Sequence, residues 1–331
     1  MTSDVLWDSK VRLVVADVDE TIADVYTPAE SAMIAELNRL LADGVKLFMV
    51  SGGGLQRITT GITDAITPGL RQNILISHCS GAEVWGFTAN GELRQEPFYS
   101  LYDGLITPEI GLAWRACVDQ LIVEFGFRPH PVEPRIHFRQ KYSDPLDIMY
   151  DDRGPQITLE LVNAADLTDV QVARLSHDVP ETHGARDLRI PVLERAEQIF
   201  SAADVPITPR LGGMFAVDFA LAGVSKATSI RRVLDSKEIL ATVGLNQTDL
   251  ANPGAFEVWG DKFSSLRGGT DRHMCEALDP SVRAIDFRAE DPAEFLDGYN
   301  IVLWDGAQHL HHGLLEYLQS RASNIMHNFK Q

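Results

Sequence analysis

Short apolar runs alternate with amphipathic stretches along the first hundred residues, and the spacing of each predicts its element. Residues 11–16 are an apolar run of strand length, with Arg12 its one charged position. Residues 28–43 read as a helix: Pro28 suits a first turn, Ile34, Leu37 and Leu41 recur at helical spacing, and Gly44 ends it. Residues 45–50 are a second apolar strand, followed by Ser51-Gly52-Gly53-Gly54. Residues 55–66 place Leu55, Ile58, Ile62 and Ile66 on one helical face, and 73–77 are a third short strand. Strands that are apolar on both faces, joined by helices, predict right-handed crossovers and a parallel sheet. Chemistry on such a sheet gathers beyond the carboxyl ends of its strands.

The pattern then changes. Residues 83–87 and 93–98 flank Ala89-Asn90-Gly91-Glu92 and read as a hairpin with an Asn-Gly turn. From about Thr107 the segments mix: a helix at 109–125, strands at 135–138 and 156–162, and a helix at 192–203. This stretch predicts an α+β module inserted into the first domain. Near 215–221 the chain is expected to return to the parallel domain, with a helix at 226–240 and strands at 255–259, 282–287 and 301–303. The expected fold class is therefore α/β, a Rossmann-like parallel-sheet core (residues 1–105 and 215–331) interrupted by an α+β module (106–214).

Four polar signals share one rim of the predicted sheet: Asp17 and Asp19 after the first strand, Ser51-Gly52 after the second, Lys226 opening a late helix, and Asp261 after a late strand. Two carboxylates at the end of a buried strand have no structural use there, whereas phosphoryl transfer needs both. Asp17 is the candidate nucleophile, since a carboxylate is ionised at neutral pH and needs no activating base. Asp19 is the candidate general acid and then base. The Ser51 hydroxyl and neighbouring backbone N–H groups suit phosphate oxygens, with Gly52 allowing close approach. Lys226 would neutralise charge on the phosphoryl group and on Asp17, and Asp261 would complete an oxygen site for Mg²⁺. Asp271 reads equally as a partner of that metal site or as a cap for a helix at 272–278.

Composition narrows the partners. The net charge of −18 repels nucleic acid and anionic membranes, and no apolar run approaches the ~20 residues of a membrane span. Residues 1–10 carry no apolar signal core, and three scattered cysteines (Cys79, Cys117, Cys275) have no metal spacing. The expectation is a cytoplasmic protein with a small-molecule partner. In the inserted module, Arg135, His137 and Arg139 alternate as on one face of a strand, and with Arg153 they either meet a substrate or form a solvated face. His309, His311 and His312 match no standard metal spacing and are assigned to a surface helix.

The ordered set Asp17-x-Asp19-x-Thr21, Ser51, Lys226, Gly260-Asp261 resembles the haloacid dehalogenase (HAD) superfamily of phosphotransferases. Within it, an acid/base Asp two residues after the nucleophile, followed by Thr21, is the phosphatase and phosphomutase pattern. The resemblance implies a phospho-Asp17 intermediate, Mg²⁺ held by Asp17, Asp19, Asp261 and Asp271, phosphate contacts from Thr21, Ser51, Gly52 and Lys226, and a cap between Ser51 and Lys226. Gly260-Asp261-Lys262-Phe263 with Gly268-Gly269-Thr270-Asp271 is similar to a phosphomannomutase segment, and Ser80-Gly81-Ala82-Glu83 to the Gly-Ala-Glu of trehalose- and sucrose-phosphate phosphatases. Arg153-Gly154-Pro155-Gln156 echoes a mutase cap motif, but Leu161-Val162-Asn163 stands where its second arginine belongs, and Glu20 stands where many relatives have Gly. The implied activity is hydrolysis of a small phosphorylated sugar or polyol. A phosphohexomutase and a non-catalytic ligand-binding relative are the alternatives, and a homodimer is compatible with the cap.

Overall fold

A computed structural model describes residues 5–182, 185–212, 215–265 and 269–328. The strands in chain order are β1 (Leu13–Ala16), β2 (Lys46–Val50), β3 (Ile74–His78), β4 (Glu83–Gly86) and β5 (Tyr99–Ser100). Then come β6 (Arg128–His130), β7 (Asp147–Asp152), β8 (Gln156–Glu160), β9 (Glu181–Thr182), β10 (Ala185–Arg186), β11 (Ile207–Gly212) and β12 (Ala216–Leu221). Last are β13 (Phe256–Gly260), β14 (Arg283–Asp286) and β15 (Ile301–Leu303). The chain divides into two compact units, residues 1–99 with 225–331, and residues 100–224.

The first unit is built on an eight-stranded sheet of order β15-β14-β13-β1-β2-β3-β4-β5. From β15 to β3 every neighbouring pair is parallel, and β4 joins β3 antiparallel. All four residues of β1 are buried, because the sheet is covered on both faces. Val14 and Ala16 join one core with Leu37 and Leu41 of the helix Ser31–Ala42 and with Leu314 and Tyr317 of the helix Leu310–Asn328. Leu13 and Val15 join the other with Ile230 and Val233 of the helix Lys226–Asp235. The chain goes from β1 to β2 on one side and returns through β13 on the other, so the strand order reverses at β1 and leaves a crevice at its carboxyl end.

The second unit has a five-stranded sheet of order β11-β12-β8-β7-β6, antiparallel except for β6 and β7. The helices Pro108–Phe125 and Arg189–Ala203 pack on each other, and the latter packs against β11 and β12. Thr107 starts the first of them by accepting the Ile110 N–H at 3.3 Å, and Gly126, at φ +69°, ends it in the left-handed region glycine tolerates.

Three expectations change. Residues 135–138 are not a strand but part of the helix Arg135–Lys141, which buries only Phe138, against the rings of His130 and Tyr142, and leaves Ile136 65% exposed. A one-sided strand would have buried Ile136 and Phe138 together. Residues 216–221 pair with β8 and β11 rather than returning to the parallel sheet, so the second unit runs to Val224 and begins at Ser100. A fully buried run looks the same in either sheet. The second arm of the hairpin, expected over 93–98, is reduced to a bridge between Phe87 and Leu93 and two backbone bonds, from the Arg94 N–H to the Gly86 carbonyl (3.1 Å) and from the Phe98 N–H to the Val84 carbonyl (2.7 Å). Among the described residues, no helix is long and apolar enough to cross a membrane.

Candidate active site

Asp17 follows β1 directly, and its N–H donates to the Trp259 carbonyl at 2.9 Å, extending the ladder one residue past the strand. Gly260 and Asp261 therefore emerge beside it from β13. Ser225 begins the helix Lys226–Asp235 by accepting the Thr228 N–H at 3.2 Å, which fixes Lys226 in the first turn. A cation is poorly placed at that end of a helix. Lys226 is held there, 4% exposed, because Nζ donates to Asp17 Oδ1 and to Asp271 Oδ1, both at 2.7 Å. The other oxygen of Asp271 accepts the backbone N–H groups of Asp261 (2.9 Å) and Lys262 (3.0 Å). Asp271 makes no capping bond to the helix Arg272–Cys275 that follows it, so its role is to anchor Lys226 and the Asp261 loop. Glycine is required beneath it: a Cβ at Gly260 would lie 2.7 Å from Asp271 Oδ2, and one at Gly269 would lie 2.3 Å from the Lys262 carbonyl. Gly268 lies outside the described residues.

Burial and like-charge crowding set the electrostatics. Burial, then the Asp271 charge, push the Asp17 carboxyl well above its ordinary range, and Lys226 offsets only part of this. Burial lowers the affinity of Lys226 for its proton, but the Asp17 and Asp271 carboxylates outweigh it and leave the ammonium firmly charged. Asp261 is pushed up to about 6, first by burial, with Lys262 pulling it down and Asp271 pushing it up.

Asp17, Asp261 and Asp271 each offer one carboxylate oxygen, all within 4.8 Å of one another and all buried. An oxygen-only donor set of this kind fits Mg²⁺. The carboxylate of Asp19 is not brought into that group. It pairs with Arg57 and accepts the Ser51 hydroxyl at 3.4 Å. Ser51 is fully buried at the end of β2, and its Oγ also accepts the Gly53 N–H at 2.8 Å. A Cβ on Gly52 would meet only Ser80 Oγ, at 3.6 Å, so the loop has room above it. Thr21 is buried behind the rim and donates to Asp261 Oδ1 at 3.3 Å.

Two groups of charged residues escaped the sequence reading. Arg57, on the helix Leu55–Gly61, holds Asp19 and the Asp24 carbonyl (3.2 Å), and no motif marks it. Glu20 has φ +65°, which explains why glycine suits this position, and its carboxylate is gripped by Arg288 and by Lys262 at 3.1 Å. Arg288 also donates to Asp261 Oδ2 at 2.6 Å, tying Glu20 to the end of β13. The departure from Gly at position 20 and the presence of Lys262 after Asp261 were the only signals in the sequence.

In the second unit, Arg135 and Arg139 share a helical face, their guanidinium carbons 5.3 and 5.1 Å from the Phe215 ring centre, while His137 is exposed off that face. Arg153 Nε donates to Asp151 Oδ2 at 2.6 Å.

No protein-family model and no curated protein matches the sequence. Solved structures do. A haloacid dehalogenase-like hydrolase from Bacteroides thetaiotaomicron superposes with a TM-score of 0.54 at 14% identity, over 94% of this chain and 99% of that one. A trehalose-6-phosphate phosphatase related protein superposes with a TM-score of 0.52 at 13% identity, over 96% of this chain and all of that one. The protein has the fold of the HAD hydrolases, a Rossmann-like core with an inserted second unit.

Proposed function

We propose that the protein is a Mg²⁺-dependent phosphatase that hydrolyses a small phosphorylated sugar or polyol. The observation that carries this reading is the buried Lys226 ammonium bridging Asp17 and Asp271 at 2.7 Å each, at the strand-order reversal where the HAD fold keeps its chemistry. An Asp17 oxygen attacks phosphorus, the P–O bond to the sugar breaks, and Asp19 gives its proton to the departing alkoxide. Asp19 then takes a proton from water as that water attacks the acyl phosphate, releasing inorganic phosphate and restoring Asp17. Lys226 and Ser51 supply positive charge and a hydroxyl donor at the rim. Mg²⁺ held by Asp17, Asp261 and Asp271 would add positive charge toward the phosphoryl oxygens. The net charge of −18 supports a small ester over a nucleic acid. The likeness to the trehalose-6-phosphate phosphatase related protein puts sugar phosphates first on a substrate panel.

³¹P NMR of the protein with Mg²⁺ and a panel of sugar mono- and bisphosphates tests this. Inorganic phosphate that appears with Mg²⁺, stops with EDTA and is absent with Asp17→Asn is the expected result. Interconversion of a 1-phosphate and a 6-phosphate would make the protein a mutase. No reaction on any member would point to a ligand-binding role.

A further inference from the structure

The histidines at the start of the helix Leu310–Asn328 are joined by a residue from the other end of the chain. Glu30, which precedes the helix Ser31–Ala42, accepts through Oε1 from His312 Nε2 at 3.1 Å, 282 positions apart in sequence. The His311 and His312 rings lie 4.1 Å apart centre to centre. One ligand atom from each of Glu30, His311 and His312 falls within 4.8 Å of the other two. His311 Nδ1 is buried yet has no hydrogen-bond partner, so this ring carries a polar atom that the fold leaves unused.

We propose that Glu30, His311 and His312 form a second divalent-metal site, selective for a transition ion of the Zn²⁺ class and separate from the carboxylate site of Asp17, Asp261 and Asp271. Two imidazoles and one carboxylate are a borderline-soft donor set that favours Zn²⁺ over Mg²⁺. Bonds of the usual length in a tetrahedral site put donors about 3.3 Å apart. Glu30 and His312 already sit at that separation, and both are half exposed, so their side chains are free to close on an ion. Bound metal would join the start of the first helix to the start of the last. The Leu310 N–H donates to the Phe287 carbonyl at 2.6 Å, one residue before Arg288, so the site also borders the segment that steadies Asp261.

The test is titration of the full chain with ZnCl₂ by calorimetry in excess MgCl₂, which occupies the carboxylate site and competes poorly at imidazoles. Co²⁺ absorption provides an independent signature of nitrogen ligation. One equivalent of Zn²⁺ should bind under these conditions, raise Tm, and weaken by at least about tenfold in His312→Ala and in Glu30→Gln. Both substitutions are at half-exposed positions, and circular dichroism checks that each variant folds. Zn²⁺ binding that is unchanged in both variants, or absent from the wild type in excess Mg²⁺, overturns the proposal. The outcome is independent of whether any phosphate ester is hydrolysed.

Discussion

Strand β13 carries a buried carboxylate at each end, and the two behave in opposite ways. Glu257, near its start, is fully buried and well supplied: Trp259 Nε1 donates at 2.7 Å, the Tyr317 hydroxyl at 2.9 Å, and Arg283 pairs with it through Nε at 2.9 Å. Asp261, just past its end, shares its surroundings with the carboxylates of Asp17, Asp271 and Glu20. Burial raises both pKa values, so burial alone does not separate a structural carboxylate from a reactive one. What differs is the company. Glu257 faces donors and one cation, whereas the rim gathers like charges and needs Lys226, Lys262 and Arg288 to hold them together. An arrangement with this much mutual repulsion is kept where a function uses it.

The largest effect that sharpens this contrast is expected from Asp17→Asn. Removing the proposed nucleophile should lower kcat by about 10³-fold or more, measured as phosphate release on the best substrate. Tm should hold or rise, because one of the crowded carboxylates becomes neutral while Lys226 keeps Asp271. Near-normal turnover would remove Asp17 from the chemistry. Glu257→Ala should do the reverse. Leaving Arg283 and the Tyr317 hydroxyl without their shared acceptor is expected to cost about 3 kcal/mol in urea unfolding, with turnover of the folded fraction unchanged.

Asp286, at the end of β14, lies between the two cases. It accepts the N–H groups of Arg288 (2.8 Å) and Glu290 (2.7 Å), yet burial outweighs these bonds and raises it from 3.8 to about 7. A raised carboxyl favours the protonated folded state. Its contribution is therefore fully present below about pH 4 and is lost as pH rises to about 7, with a slope of at most about 1.4 kcal/mol per pH unit. Urea unfolding of metal-free protein across this range should show the decline, and Asp286→Asn should flatten it. An identical slope in the variant would assign the decline to other groups. The smallest effect is expected from Ser225→Ala, which removes the cap that positions Lys226. It should cost about 1 kcal/mol, with a fall in kcat larger than that loss of stability explains at a temperature where the variant is fully folded.

Much of this site is readable from local order. Asp17, Ser51 and Asp261 follow apolar runs of strand length, and Lys226 opens an amphipathic segment, so a parallel sheet puts all four on one rim. The module between them is visible from its change of period. Its edges are not: the buried run 216–221 carries no mark of which sheet it joins, and Arg135, His137 and Arg139 alternate in a way that suits a strand as well as a short helix that buries Phe138 alone. Asp271 illustrates the same limit, since a carboxylate before a helix reads as a cap until its oxygens are found on Lys226 and on the Asp261 loop.

The sequence by itself determined the parallel core, the rim residues and their order, because strand length, helical spacing and turn chemistry are local properties of neighbouring residues. Only the tertiary structure decided that Arg57 holds Asp19, that Arg288 joins Glu20 to Asp261, and that Glu30 meets His312. Those partners lie on different elements, and the sheet register and the packing of helices on its two faces bring them together. Periodicity encodes which face a residue takes, but not which distant residue it will face.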